Sequence, residues 1–299
     1  MLKYTQQAQK IQEIGAKKVH CFDLGTQNID EKTVASFGEE WLKFDAFSEE
    51  EIKIAGDQYF DIVDSEMLNK SSLVLDLGCG SGRWTKYMAN QAGFIEAVDP
   101  SEAVFRAASI YNSLENVRFT QASIETLPFK DGSFDFVISL GVLHHIPDTE
   151  KALNKLLRKV KTGGHVLIYL YYALDNRGFI YRSLFKLSSI FRFLISKMPM
   201  KLKQLVCDLI ALLVYLPLIL FSKLVKVIVP GEFYQKMPLS YYIDKSWKII
   251  RNDALDRFGT PLEQRFTKVQ IHEMLENSGM ENICFSDGFP YWHVVAKKK

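Results

Sequence analysis

Between residues 73 and 170 the chain alternates short apolar runs with stretches of helical period, a rhythm that predicts a parallel sheet covered by helices on both faces. The runs place strands at 73–77, 94–98, 117–120, 134–140 and 165–171, with helices starting near Gly82, Ser101 and Asp148. Further on, Thr267 and Gln270 have the spacing of a capping box, and the helix they open is stopped by Ser278 and Gly279. Two more strands are expected at 281–286 and 291–296. Residues 1–70 read as a leader and helical cap. Within it Ser48 and Glu51 make a second capping box, and their helix carries Ile52, Ile54, Tyr59, Phe60, Ile62 and Val63 toward a neighbour. The fold class is therefore α/β, with a doubly wound, mostly parallel sheet. Such sheets bind ligands outside the C-terminal ends of their strands.

The first of those strand ends is rich in glycine. Val74-Leu75-Asp76-Leu77 runs into Gly78-Cys79-Gly80-Ser81-Gly82, which reads as strand, tight loop and helix start. Glycine lacks the Cβ that blocks close approach and tolerates positive φ, so a nucleoside or nucleotide can lie against bare backbone there. The spacing is not the Gly-x-Gly-x-x-Gly of dinucleotide binders, and an acid stands two residues before the first glycine. On these residues the chain resembles motif I, Asp76-x-Gly78-x-Gly80-x-Gly82, of the class I S-adenosylmethionine (SAM)-dependent methyltransferases. The nearest group is methyltransferase type 11, which includes ubiquinone and menaquinone C-methyltransferases and natural-product O-methyltransferases. The resemblance implies SAM as cofactor and a seven-stranded sheet of order 3-2-1-4-5-7-6, closed by an antiparallel hairpin.

Four loops carry the resemblance further. Asp99, with Pro100 and Ser101, ends the second strand, about twenty residues after the first glycine, where an acid accepts hydrogen bonds from ribose hydroxyls. The competing reading makes Asp99 the cap of the helix that follows. Ser123 and Ile124 match the adenine position after the third strand, although the family more often has an acid where Ser123 stands. Leu140 and Gly141 end the fourth strand and are expected beside the sulfonium, leading into His144 and His145. Lys159 to Ile168, with Gly163-Gly164, matches the architectural turn into the fifth strand.

A methyl group leaves a sulfonium by in-line displacement, so alignment supplies most of what the protein must contribute. A hydroxyl or activated carbon acceptor also needs a base, for which His144 and His145 are the candidates; the bland reading is that they only brace their loop. The other histidines, His20, His165, His272 and His293, have no ligand spacing, so no metal is expected.

Composition adds limits. At 299 residues and 47% apolar the chain can build a substantial core, and its formal charge of +2 gives no global reason to expect nucleic acid as partner. Cys21, Cys79, Cys207 and Cys284 are far apart, and the polar N-terminus lacks the apolar run of a secretory signal; both fit a reduced, cytoplasmic setting.

The division expected is an N-terminal cap (1–70), a SAM-binding core (71–174), an inserted helical segment (175–266) and a closing helix and hairpin (267–299). The insertion is basic and apolar. Residues 179–198 mix an apolar face with Arg182, Lys186, Arg192 and Lys197, and residues 209–221 hold no charge at all. Asp208 and Pro217 interrupt the run and leave its uncharged part too short to cross a bilayer. Three readings stand: contact with a membrane surface through 179–229, a lid or helical subdomain in solution, or a genuine span. Residues 234–265, dense in aromatic and charged side chains, read as a connecting segment or a recognition surface.

The function expected is methyl transfer from SAM to a small or lipidic acceptor through oxygen or carbon, in the cytoplasm or at the cytoplasmic face of a membrane. The competing class is a SAM-binding protein without turnover that docks on a membrane or partner through the insertion. The oligomeric state is open.

Overall fold

The computed structural model describes residues 2–43, 48–288 and 290–299, with backbone alone for 39–43 and 180. Two compact units make up the chain. Met1–Asp175 and Leu262–Lys299 form one, and Asn176–Pro261 forms the other.

The first unit is built on a nine-stranded sheet. In chain order the elements are β1 (Lys10–Ile14), β2 (Lys17–Cys21), α1 (Glu31–Lys43), α2 (Glu49–Tyr59), β3 (Leu73–Leu77), α3 (Arg83–Ala89), β4 (Phe94–Asp99), α4 (Ala103–Ile110), β5 (Val117–Gln121), β6 (Phe134–Leu140), α5 (Thr149–Lys159) and β7 (Val160–Tyr169). The second unit contributes α6 (Phe179–Ile195), α7 (Met200–Ile210), α8 (Leu216–Ile228) and α9 (Trp247–Gly259) before α10 (Lys268–Asn277), β8 (Met280–Phe285) and β9 (His293–Lys298) complete the first. The sheet order is β1-β2-β5-β4-β3-β6-β7-β9-β8. Its last seven strands reproduce the expected 3-2-1-4-5-7-6 order, and β9 runs antiparallel to both β7 and β8.

The central strands are buried on both faces, which is why they read as continuous apolar runs. One side packs Leu75, Leu77, Val137 and Ile168 against α5 and α10; the other packs Val74, Ile95, Phe119 and Ile138 against α3 and α4. Both capping boxes form, Ser48 with Glu51 and Thr267 with Gln270, and Asp148 caps α5.

The N-terminal region adds strands to the expected leader and helical cap. Residues 10–21 make an antiparallel hairpin turning at Gly15, and β2 adds parallel to β5, extending the sheet by two strands. The reason is the edge of β5, whose backbone groups need a partner that a helix would not supply. Within α2 a second difference appears. Ile52 and Gly56 are buried and Phe60 follows them inside, whereas Ile54 is 47% exposed, because it lies on the opposite face at helical period.

In the second unit, α7, a π turn at Ala211–Tyr215 and α8 form one continuous helix from Met200 to Ile228, long and apolar enough to cross a membrane by length and composition. Asp208 and Pro217 do not interrupt it. Arg251 on α9 grips both carboxylate oxygens of Asp208, at 2.8 and 2.7 Å, so the acid is neutralised locally. Pro217 follows the π turn, where the helical hydrogen-bond register already changes.

Candidate functional site

Parallel register brings the C-terminal ends of β4, β3 and β6 side by side: Asp76 lies opposite Ala97 on one neighbour and Ile138 on the other. The loops that follow these strands, and the one after β5, therefore meet at one end of the sheet.

The glycine loop turns through three residues of positive φ, Gly78 at 78°, Gly80 at 52° and Gly82 at 86°. Bare backbone here first serves the fold. A Cβ on Gly78 would stand 2.3 Å from Val142, and one on Gly82 would meet the ring of Tyr111 at 2.8 Å. Gly141 is different. Its φ is 79°, and nothing lies within 4 Å of where a Cβ would stand, so this strand end faces open space.

Asp99 does not cap α4, whose N-cap is Glu102 without a side-chain bond; it closes a local turn instead. One oxygen accepts from Gly80 N–H at 2.8 Å; the other accepts from the Ser101 N–H at 2.8 Å and hydroxyl at 2.6 Å. Its carboxylate thus pins the glycine loop to the start of the α4 segment, and burial raises its pKa. A carboxylate has about four lone-pair sites, so these three bonds leave capacity for one more donor.

Asp76 is almost fully buried. Thr85 donates to its Oδ2 at 2.6 Å, while Oδ1 has no hydrogen-bond partner among the described residues. Burial pushes its pKa up to about 7; the Thr85 hydroxyl opposes the rise, and the charge of Asp99 adds to it. An orphaned buried carboxylate oxygen is expensive unless a donor or cation reaches it.

Ser123 has a structural assignment. Its hydroxyl donates to Leu24 O at 2.6 Å and accepts from Glu125 N–H, closing a short 3-10 turn, with Ile124 buried behind it. The segment after β2 is thereby held against the loop after β5, and Gly25 sits near Thr126.

His144 and His145 form a 3-10 turn after Gly141. His144 is wholly buried and stacks on Tyr171, with centroids 3.8 Å apart. Its Nδ1 accepts the Tyr171 N–H at 3.3 Å, so the proton of the neutral ring sits on Nε2. Burial, then the neighbouring His145 and Arg265, hold its pKa well below the usual imidazole value. His144 therefore has no ring lone pair to offer as a base. His145 differs: its Nδ1 lies 2.7 Å from Leu262 O, which only accepts, so Nδ1 carries the proton and Nε2 the lone pair. Phe37 packs edge-on to its ring.

Several supports of this turn escaped sequence reasoning. Gln264 donates to His144 O through its backbone and to Ile146 O through its side chain. Asn28 and the backbone of Asp148 exchange two bonds, at 2.9 and 2.6 Å, and Thr33 bonds Leu262 N–H. These contacts span more than a hundred residues of sequence, so no local pattern announces them. Gly38 of α1 passes near Ser101, so the N-terminal helix packs at the strand ends. In the sequence, Trp41 and its neighbours read either as part of a cap on one face of the sheet or as a segment folded over the cofactor; the side chain of Trp41 lies outside the described residues.

The donor set suits SAM. Two buried carboxylates, one with an unused oxygen, match a ligand bearing hydroxyl donors and positive charge, and Gly141 leaves room at the strand end beside the histidine turn.

Residues 75–168 match the profile of a methyltransferase domain. Among curated proteins, an uncharacterized methyltransferase of Bacillus subtilis strain 168, YcgJ, is 33% identical over 106 residues, covering 34% of this chain and 42% of that one. A ubiquinone biosynthesis O-methyltransferase of Coxiella burnetii is 25% identical over 161 residues, 52% of this chain and 67% of that one. The crystal structure of YcgJ aligns at 28% identity and a TM-score of 0.36, covering 43% of this chain and 54% of that one. The chain spans about half the length of the first curated relatives it matches.

Proposed function

We propose, from the premise that residues 75–168 form a class I SAM-dependent methyltransferase domain, that the protein moves a methyl group from SAM to a small, lipidic acceptor. The observation that carries this reading is the meeting, at one end of the sheet, of the Asp76–Gly82 loop, Asp99 and the open backbone of Gly141. SAM supplies a methyl group activated by its sulfonium. The chain's residues bind and orient. Asp99 holds the glycine loop in shape and has acceptor capacity left for one ribose hydroxyl, and Asp76 offers its unpartnered oxygen to positive charge. Buried faces of the loops exclude water, and alignment of the reacting atoms supplies most of the acceleration. When the acceptor is a hydroxyl, His145 Nε2 takes its proton, while His144 keeps the turn in place.

A lipidic acceptor is supported by two facts. The Coxiella burnetii relative is named for ubiquinone biosynthesis, and this chain carries an uncommon number of exposed apolar side chains in its second unit. The test is incubation with methyl-labelled SAM and fractionated cell extract. Label is expected in the organic-solvent fraction; label confined to protein or RNA would overturn the substrate class, and no transfer despite SAM binding would favour a binding protein without turnover.

A further inference from the structure

Twenty of the twenty-four exposed large apolar side chains among the described residues lie between Phe179 and Phe233. Their arrangement is one-sided. Along the helix from Met200 to Ile228, Lys203, Cys207, Ala211, Tyr215, Ile219 and Ser222 are buried, whereas Leu205, Leu209, Leu213, Leu220, Leu224 and Val227 are 46–80% exposed. A helix of a soluble domain turns its apolar stripe inward and its polar stripe to water. This helix is apolar nearly all round and leaves one apolar face open, and α6 adds Leu187, Ile190 and Leu194, each more than half exposed. Apolar surface left open on this scale marks an interaction site.

The charge around it says what kind. Residues 176–261 hold fourteen Lys and Arg against five Asp and Glu, a formal +9, so the rest of the chain carries −7 to give the total of +2. Arg182, Lys186, Lys197, Lys201 and Lys223 are all exposed. Cations flanking an apolar face fit an anionic bilayer, with the side chains in the acyl boundary and the charges among the headgroups. A second copy would set +9 against +9. A full crossing does not suit the packing either. The buried face of the helix rests on α9, whose Lys248, Arg251, Asp253, Asp256 and Arg257 would have to enter hydrocarbon with it.

We propose that the second unit docks in the plane of an anionic membrane surface through the Leu205–Val227 face of this helix and the exposed face of α6. The inference does not rest on methyl transfer, and its test reads lipid binding alone. The full chain is sedimented with vesicles of phosphatidylcholine and with vesicles of equal parts phosphatidylcholine and phosphatidylglycerol. Binding is expected to be at least about tenfold stronger to the mixed vesicles and to weaken with salt. The double substitution Leu213→Asp with Leu220→Asp is expected to lower mixed-vesicle binding at least about tenfold, with SAM binding by calorimetry unchanged as evidence of folding. Lys201→Glu with Lys223→Glu, which leaves the apolar face intact, should erase the preference for the anionic lipid. Failure of the wild-type chain to bind either vesicle, equal binding by folded variants, self-association through the same leucines without lipid binding, or resistance to extraction by alkaline carbonate would each overturn the proposal.

Discussion

The imidazole of His144 lies against the phenol ring of Tyr171, centroids 3.8 Å apart and planes 27° from parallel, while its Nδ1 accepts the backbone N–H of the same tyrosine. The arrangement requires a neutral ring, and burial keeps it neutral. An unfolded histidine takes up a proton at about pH 6.5, which the folded site refuses, so stability is present above that value and is lost as pH falls through it. Urea unfolding between about pH 8 and 5 should show this loss. His144→Phe keeps the stacking and should flatten the slope, at a cost of about 1–3 kcal/mol near neutrality for the Tyr171 N–H left without an acceptor. An unchanged slope in the variant would assign the acid sensitivity elsewhere.

His145 offers the contrasting case. With Nδ1 bound to Leu262 O, its Nε2 is the ring nitrogen able to take a proton. His145→Ala should leave SAM affinity close to wild type and slow transfer to a hydroxyl acceptor by about 10²–10⁴-fold. Equal turnover by the variant would remove the base.

Asp76 is an acid whose pKa is raised in the fold to about 7. The folded protein therefore favours the protonated form, and this group's contribution to stability declines as pH rises from about 4 toward 7. A ligand that brings positive charge or donors to Oδ1 favours the carboxylate instead. SAM binding near neutral pH should release a proton, seen as a dependence of calorimetric enthalpy on buffer ionisation enthalpy. Asp76→Asn should abolish that dependence.

Asp99→Ala should weaken SAM binding at least about tenfold, because it removes the clamp on Gly80 N–H as well as a site for ribose hydroxyls. Asp99→Asn retains an acceptor and should lose less. The two variants ranked by calorimetry in the reverse order would contradict the assignment.

Two glycines separate packing from ligand approach. Gly78→Ala drives a methyl group into Val142 at a left-handed backbone position and should cost several kcal/mol, reducing the yield of folded protein. Gly141→Ala meets open space, so it should cost only about 1–2 kcal/mol of backbone strain while weakening SAM binding. A stable Gly141→Ala protein with full SAM affinity would move the cofactor away from this strand end.

The core strands and both capping boxes were legible because each rests on local information. An apolar run of strand length between turn residues needs no distant partner to be recognised, and Ser48 reaches Glu51 within one helical turn. The β1–β2 hairpin was not legible. Lys10 to Ile14 has neither strict alternation nor a long apolar run, and its place depends on the open edge of β5 more than ninety residues away. The sequence offered Asp99 as a helix cap or a ribose ligand; the helix starts too late for the cap, and the tertiary structure adds the bond to Gly80 that makes it a clamp between loops.

The sequence by itself determined where the central strands lie along the chain, the glycine loop and the chemical character of the insertion, since spacing, backbone freedom and hydropathy are properties of neighbouring residues; the order of the strands in the sheet came from the family resemblance. Tertiary structure alone decided which tautomer each histidine adopts, because Tyr171 and Leu262 reach the two rings from other segments. It also decided which face of the Met200–Ile228 helix stays open. That helix is apolar nearly all round, so its hydropathy could not choose a side, and the packing of α9 through Arg251 and Asp208 did.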